Sequence, residues 1–308
     1  MSGEKVSDKR RWLLIGGGAA AVAAAIGLML GRPAPKPVAD IVVKKVDEVP
    51  RRDPASPIWD KAESHDIKLI PQSIVKPMKT TEITGSVNVK ALHDGEWIGF
   101  RLEWGDPDRD DSVVRVGEFK DACAVMLLSH PVSGLAWRMG TSAEAATILQ
   151  WRADWQRDLE KGFTDLETAF PNVAVDAYQH VGVEGVSDGK PKSALDLADK
   201  NALTFVGFAA GNIFSEMARD RPVEKLLGLG PGTITTLPTQ DADGWGVWSA
   251  GKWSVVVAKK LGASDAHKGE INITPGNLYT VAFAVWNGAV EDRGGRKSIS
   301  SLMKLYVE

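Results

Sequence analysis

Apolar and polar residues alternate over short runs through most of the chain. Residues 87–92 (VNVKAL) and 97–104 (WIGFRLEW) flank His93-Asp94-Gly95-Glu96, which reads as strand, Asp-Gly turn and strand. Ile98, Phe100, Leu102 and Trp104 share one face of the second strand. Similar runs occupy residues 122–128, 147–151, 203–209, 245–248, 253–259 and 279–286, and residues 302–307 close the chain with another. Ser249-Ala-Gly-Lys252 between Trp248 and Trp253 is a second hairpin signal. Helical periodicity is confined to residues 154–161 and 222–227, both short. Strands at intervals with turn signals between them predict an all-β fold, a β-sandwich with short helices in its loops. No βα alternation and no fixed-period repeat interrupts that reading.

The first 31 residues break the pattern. Residues 12–31 carry no charge, and as a helix they reach about 30 Å, one bilayer core. Lys5, Lys9, Arg10 and Arg11 precede them, which keeps a short tail in the cytoplasm and sends the rest to the periplasmic or extracytoplasmic side. The expected element is a transmembrane helix anchoring the chain in the membrane. A signal helix with a twin-arginine start at Arg10-Arg11 is the other possibility. Residues 32–50, rich in proline and then mixed in charge, predict an extended linker. Residues 51–308 then form one β domain.

Composition changes the picture mainly by exclusion. The net charge of −3 gives nucleic acid no electrostatic support. The single cysteine, Cys123, excludes a disulfide framework, an iron–sulfur cluster on this chain's own thiolates, a CxxCH haem attachment and a Cys-type zinc site. The five histidines show no metal-ligand spacing, and His130, ahead of Pro131, is the one that ends an apolar run. There is no GxSxG, and the glycine-rich Gly228-Leu-Gly-Pro-Gly-Thr233 lacks the lysine of a phosphate loop. Asp106-Pro-Asp-Arg-Asp-Asp111 is acid-rich without calcium-loop spacing, and reads as a solvated loop ahead of a Ca²⁺ chelator. Eleven tryptophans leave open a haem-free exported sandwich that binds carbohydrate or protein through exposed indoles.

Several strings resemble one family in order. They are Asp53-Pro-Ala-Ser-Pro-Ile-Trp-Asp60, Leu135-Ala-Trp-Arg-Met-Gly140, Ile148-Leu-Gln-Trp-Arg-Ala-Asp154, Ala210-Gly-Asn212, Arg221-Pro-Val-Glu-Lys-Leu226, Gly230-Pro-Gly-Thr-Ile-Thr-Thr236, Gly251-Lys-Trp-Ser-Val-Val-Val257, Val281-Ala-Phe-Ala-Val-Trp-Asn-Gly288 and Arg293-Gly-Gly-Arg-Lys-Ser298. The chain is similar to the haem-binding gamma subunits of ethylbenzene dehydrogenase, dimethylsulfide dehydrogenase, selenate reductase and chlorate reductase. The resemblance implies a β-sandwich holding one non-covalent b-type haem, with no substrate chemistry of its own. It implies an electron relay between the iron–sulfur beta subunit and molybdenum alpha subunit of a complex and an external partner such as a c-type cytochrome. It also implies a methionine and, in several members, a lysine as axial ligands of the haem iron. By position the methionine falls on Met139. The segment in which the second ligand is expected, residues 213–221, contains no lysine. Met217 is its thioether donor and Lys225, just beyond it, is the alternative.

Overall fold

The computed structural model describes residues 37–81, 84–132, 139–141, 143–163, 169–172, 212–216 and 219–308. The chain forms β1 (Ile41–Lys45), β2 (His65–Lys68), β3 (Ile70–Pro71), β4 (Ser86–His93), β5 (Trp97–Gly105), β6 (Ala122–Leu128) and β7 (Ala146–Arg152). Helix α1 (Ala153–Lys161) follows. Then come β8 (Val223–Gly228), β9 (Thr235–Thr236), β10 (Asp243–Ser249), β11 (Lys252–Lys260), β12 (Leu278–Trp286), β13 (Ser298–Ile299) and β14 (Met303–Val307). The fold is mostly β, as the alternation predicts, and short helical turns sit in the loops.

Fourteen strands join in one mixed sheet with the order β10-β11-β5-β4-β1-β14-β12-β6-β7-β8-β9. Strand β1 is the seam. Ile41 to Val43 run parallel to β14, whereas Lys44 and Lys45 run parallel to β4. The sheet folds across this seam, so its two halves face each other over one apolar layer. Val87, Phe100, Leu102 and Trp104 from one half meet Val125, Trp151, Phe283 and Val285 from the other. Phe100 meets Phe283 edge-on at 6.2 Å between ring centroids. Trp151 likewise meets Trp253 edge-on at 4.9 Å. The face expected of Ile98, Phe100, Leu102 and Trp104 is the buried one.

Two expectations change. Residues 222–227 read as helical but form β8, paired antiparallel along the length of β7. Six residues can satisfy either period, and a long neighbouring strand with open hydrogen-bonding groups decides for the extended form. The expected linker also ends early: the compact unit starts at Ala39 and β1 lies inside residues 32–50. The runs at 12–31 and 203–209 lie outside the described residues. Among those described, no helix is long and apolar enough to cross a membrane.

The tryptophans settle inward. Trp59, Trp97, Trp104, Trp151, Trp155, Trp253 and Trp286 are buried, and Trp245 and Trp248 are half-buried. None of the described indoles stands out as a platform for a sugar ring.

Candidate functional site

Strands β6 and β12 are buried on both faces. Cys123, Val125 and Leu127 of β6 point into the main core with Val281, Phe283 and Val285 of β12. The opposite face carries Ala122, Ala124, Met126, Ala282, Ala284 and Trp286, joined by Ile148 of β7, Leu226 of β8 and Ile299 of β13. An outer sheet face left to water would carry polar side chains. Here it is apolar and floors a cavity of about 520 Å³, within the size range that encloses a small ligand or cofactor. Three of the floor positions are alanines (Ala124, Ala282, Ala284), whose short side chains leave a flat slot above the strands.

Met139 stands on the wall of this slot. Its backbone is left-handed, φ 45°, an uncommon conformation for a residue with a side chain. Gly140 beside it has φ 87°, and a Cβ there would fall 2.3 Å from the Gly228 carbonyl oxygen. A Cβ on Gly228 would fall 2.5 Å from the Met139 carbonyl. The Met-Gly pair is therefore locked against the end of β8 by two glycines with no room for a larger residue.

Lys297 faces Met139, with its Nζ 3.6 Å from the methionine Sδ. It directly follows the tight turn closed by reciprocal backbone hydrogen bonds between Arg293 and Arg296. Gln72 braces that turn. Its Nε2 donates to the carbonyls of Val75 and Gly295 at 2.7 Å, and its backbone N–H donates to the Lys297 carbonyl at 2.9 Å. Below, the buried pair Lys79–Asp292, at 2.6 Å, pins the same turn to the sheet end. The ammonium group lies 4.7 Å from the centre of the Trp286 ring.

Charge pairing separates Lys297 from the other buried lysines. Lys79 pairs with Asp292, Lys225 with Asp241 and Glu270, and Lys259 with Glu270. Lys297 is 8% exposed and meets no carboxylate among the described residues. Desolvation alone pushes its pKa down to about 8. A buried amine poised to lose its proton, opposite a thioether, is a donor pair suited to the iron of a flat, apolar cofactor such as haem. The slot and its donors fit that group. Among the described residues no three His, Cys, Asp or Glu side chains converge as a metal site.

The other end of the slot is polar. Arg152 and Glu224 form an ion pair there, with the Arg152 Nε donating at 3.1 Å and Thr236 donating its hydroxyl to Glu224 at 2.8 Å. The Arg152 guanidinium stacks 5.1 Å from the Trp155 ring and 5.0 Å from the Phe214 ring. Lys76, exposed, lies at the mouth, and half of the Phe214 side chain reaches solvent.

The ethylbenzene dehydrogenase family matches residues 56–298. The chain belongs to that family. A protein of Haloferax mediterranei named as a respiratory nitrate reductase heme subunit is 22% identical over 267 residues, covering 86% of this chain and 72% of that protein. Solved structures that align with the chain include a family 9 carbohydrate-binding module of Caldicellulosiruptor kristjanssonii with cellotriose. It is 9% identical, with a TM-score of 0.39, and covers 87% of this chain and 93% of the module.

Both cavity-wall donors lie within the ethylbenzene dehydrogenase match. Met139, on which the family's methionine falls by position, lines the cavity. Met217 lies outside the described residues, although Phe214, three positions earlier, lines the cavity. Lys225 does not face the cavity. Its β8 neighbours Glu224 and Leu226 do, so the two-residue period turns Lys225 to the opposite side, into its ion pairs at 2.6 and 3.0 Å. His130 is exposed and bonded to Glu144, away from the slot. Lys297 is the residue that the sequence reading did not single out. Its signal was present in the Arg293–Ser298 string, together with the family's lysine expectation.

Proposed function

We propose that this chain is the haem-carrying electron-transfer subunit of an oxidoreductase complex. The alanine-floored slot would take one non-covalent b-type haem, whose iron Met139 and Lys297 would hold. The observation that carries this reading is Lys297 itself, a buried lysine that meets no carboxylate among the described residues and lies 3.6 Å from the Met139 thioether. The membership of the family and the heme-subunit name of the relative support it. The chain performs no substrate chemistry. Its partners are the iron–sulfur and molybdenum subunits of the complex and an external carrier such as a c-type cytochrome. Residues 12–31 hold it at the extracytoplasmic side of the membrane.

Haem supplies a reversible one-electron iron couple. The chain's residues make that couple usable. Desolvation of Lys297 lets its Nζ give up a proton near neutral pH, which it must do before its lone pair can bind a metal. Met139 supplies a neutral soft donor that favours the reduced metal. The apolar floor excludes water, and the single buried Cys123, facing the opposite core, leaves the cofactor unbonded to the chain. Arg152 and Lys76 place cationic groups at the polar end, which would hold a cofactor's carboxylates. The exposed edges of Phe214 and Ile234 give a partner an apolar rim to dock against.

The test is optical. The full chain bearing haem should show a six-coordinate low-spin spectrum. Met139→Ala and Lys297→Ala should each convert it to a high-spin or water-ligated form while the β-type circular dichroism persists. An unchanged spectrum in Lys297→Ala, with loss in Met217→Ala, would replace Lys297 by Met217 as the second ligand.

A further inference from the structure

The backbone that carries Lys297 is held by very little regular structure. Strands β3 and β13 pair through two residues each, Ile70 with Ile299 and Pro71 with Ser298. The next pair in that register is Gln72 and Lys297, where the Gln72 amide donates to the Lys297 carbonyl at 2.9 Å. Beyond it both segments leave the ladder for irregular loops. So short a ladder fixes a strand end weakly. The Lys297 amine adds no anchor of its own, because a thioether at 3.6 Å is a weak acceptor and the Trp286 ring offers only its face.

The Gln72 side chain supplies what the ladder lacks. Gln72 is 3% exposed and stands behind the cavity wall. Its Oε1 accepts from the amides of Ile74 and Val75 at 2.7 and 2.6 Å, which folds residues 72–75 into a turn. Its Nε2 donates within that turn to the Val75 carbonyl and across to the Gly295 carbonyl, each at 2.7 Å. A primary amide has two donor hydrogens and two acceptor lone pairs, and all four are used here. The Gln72 carbonyl accepts from the Lys79 amide at 2.7 Å, which ties in the lysine paired with Asp292. The two loops meet closely at Gly295. A Cβ there would lie 3.1 Å from the Pro77 carbonyl oxygen and 3.3 Å from both Gln72 Nε2 and the Val75 carbonyl oxygen. The loops joined in this way supply Val75, Lys76, Gly294, Gly295 and Lys297 to one wall of the cavity.

We propose that Gln72 is the positioning residue for Lys297: by fixing the Gly295 carbonyl and the Lys297 backbone, it holds the amine opposite the Met139 thioether. The consequence for iron rests on the haem reading above, whereas the placement of the amine does not. Only a neutral amide of this length can accept from two amides and donate to two carbonyls at once. Leucine, of similar volume, leaves four part-buried backbone groups without partners, and the loops must part to reach water. Glutamate would set an oxygen against two carbonyl oxygens.

Two measurements on the full chain test placement and consequence separately. In the haem-free protein at one fixed pH, Lys297 is labelled with trace acetic anhydride and read by mass spectrometry against the exposed Lys260. Gln72→Leu should raise the Lys297 rate about tenfold and leave Lys260 unchanged, because the amine is no longer held against the wall. Gly295→Ala crowds the same contact from the facing loop and should do likewise, so it decides if Gln72→Leu fails to fold. A Lys297 rate equal to that of wild type in the folded variant overturns the proposal. In the haem-loaded, reduced protein, carbon monoxide reports whether the amine is off the iron. Wild type should bind it slowly, Lys297→Ala fast, and Gln72→Leu at least about tenfold faster than wild type. Slow binding in folded Gln72→Leu beside fast binding in Lys297→Ala overturns the positioning role. Slow binding in Lys297→Ala itself overturns the ligand reading instead, and the labelling rates then decide the placement alone.

Discussion

Lys297 carries a proton at neutral pH in the unfolded chain, where a lysine titrates near 10.5, but in the fold burial lowers that value to about 8. Between those two values the unfolded state binds more protons than the folded one. Stability of the haem-free chain therefore rises with pH across this window, by at most about 1.4 kcal/mol per pH unit for one group. Lys259, pushed down to about 8 by burial, adds a contribution of the same sign. Lys297→Met should flatten the rise of Tm between pH 8 and 10 without removing it, and should stabilise the haem-free chain at pH 7. Equal slopes in variant and wild type would show that Lys297 is solvated. The same linkage makes haem affinity fall about tenfold per pH unit below 8, because ligation must displace the proton. Met139 was readable because its glycine partner stands beside it in sequence. Gly140→Ala should cost about 1–3 kcal/mol in a denaturant melt, from the positive φ and the clash with the Gly228 carbonyl. Lys297 was not singled out because what sets it apart, the absence of a carboxylate partner among the described residues, is a property of three dimensions.

Strand β8 shows how one element can carry a site on one face and a brace on the other. Glu224 and Leu226 look into the slot, whereas Lys225 turns to Asp241 and Glu270. The string VEKLLG after Pro222 contains good helix formers, so six residues alone could not reveal either the strand or its faces. Removing Lys225 leaves two carboxylates facing a buried gap, one of them Glu270 at 1% side-chain exposure. Lys225→Ala should therefore destabilise the chain by about 3–5 kcal/mol and leave the low-spin haem spectrum intact at temperatures where the protein stays folded. Loss of that spectrum in a folded variant would return Lys225 to the ligand set. Strands β6 and β12 were legible as strands from their apolar runs. That their outer face floors a cavity follows only once β7, β8 and β13 are seen to align small and apolar side chains with theirs.

At the scale of the whole chain, the hydrophobic runs locate the sandwich, but they miss where it starts. Residues 32–50 looked like a tether because their prolines and charges hide four apolar positions. Ile41 and Val43 enter the main core, and Val46 and Val49 pack with Leu92, Trp59 and Trp97 in a smaller one. Their exposures are 1%, 0%, 6% and 1%. Fully burying a Val or Ile side chain stabilises by about 1.5–3 kcal/mol, so the four contribute about 6–12 kcal/mol, comparable to the entire net stability of a domain, about 5–15 kcal/mol. Strand β1 also supplies the backbone seam between β4 and β14, and without it both become edges with unpaired groups. Two truncations separate the N-terminal segment from the fold. A chain beginning at residue 38 should melt within a degree or two of the full-length protein. A chain beginning at residue 51 should fail to fold, giving no cooperative melt and rapid proteolysis. Survival of the shorter chain with an unchanged Tm would show that β1 is an accessory strand, and that the two halves of the sheet hold together through their facing side chains alone.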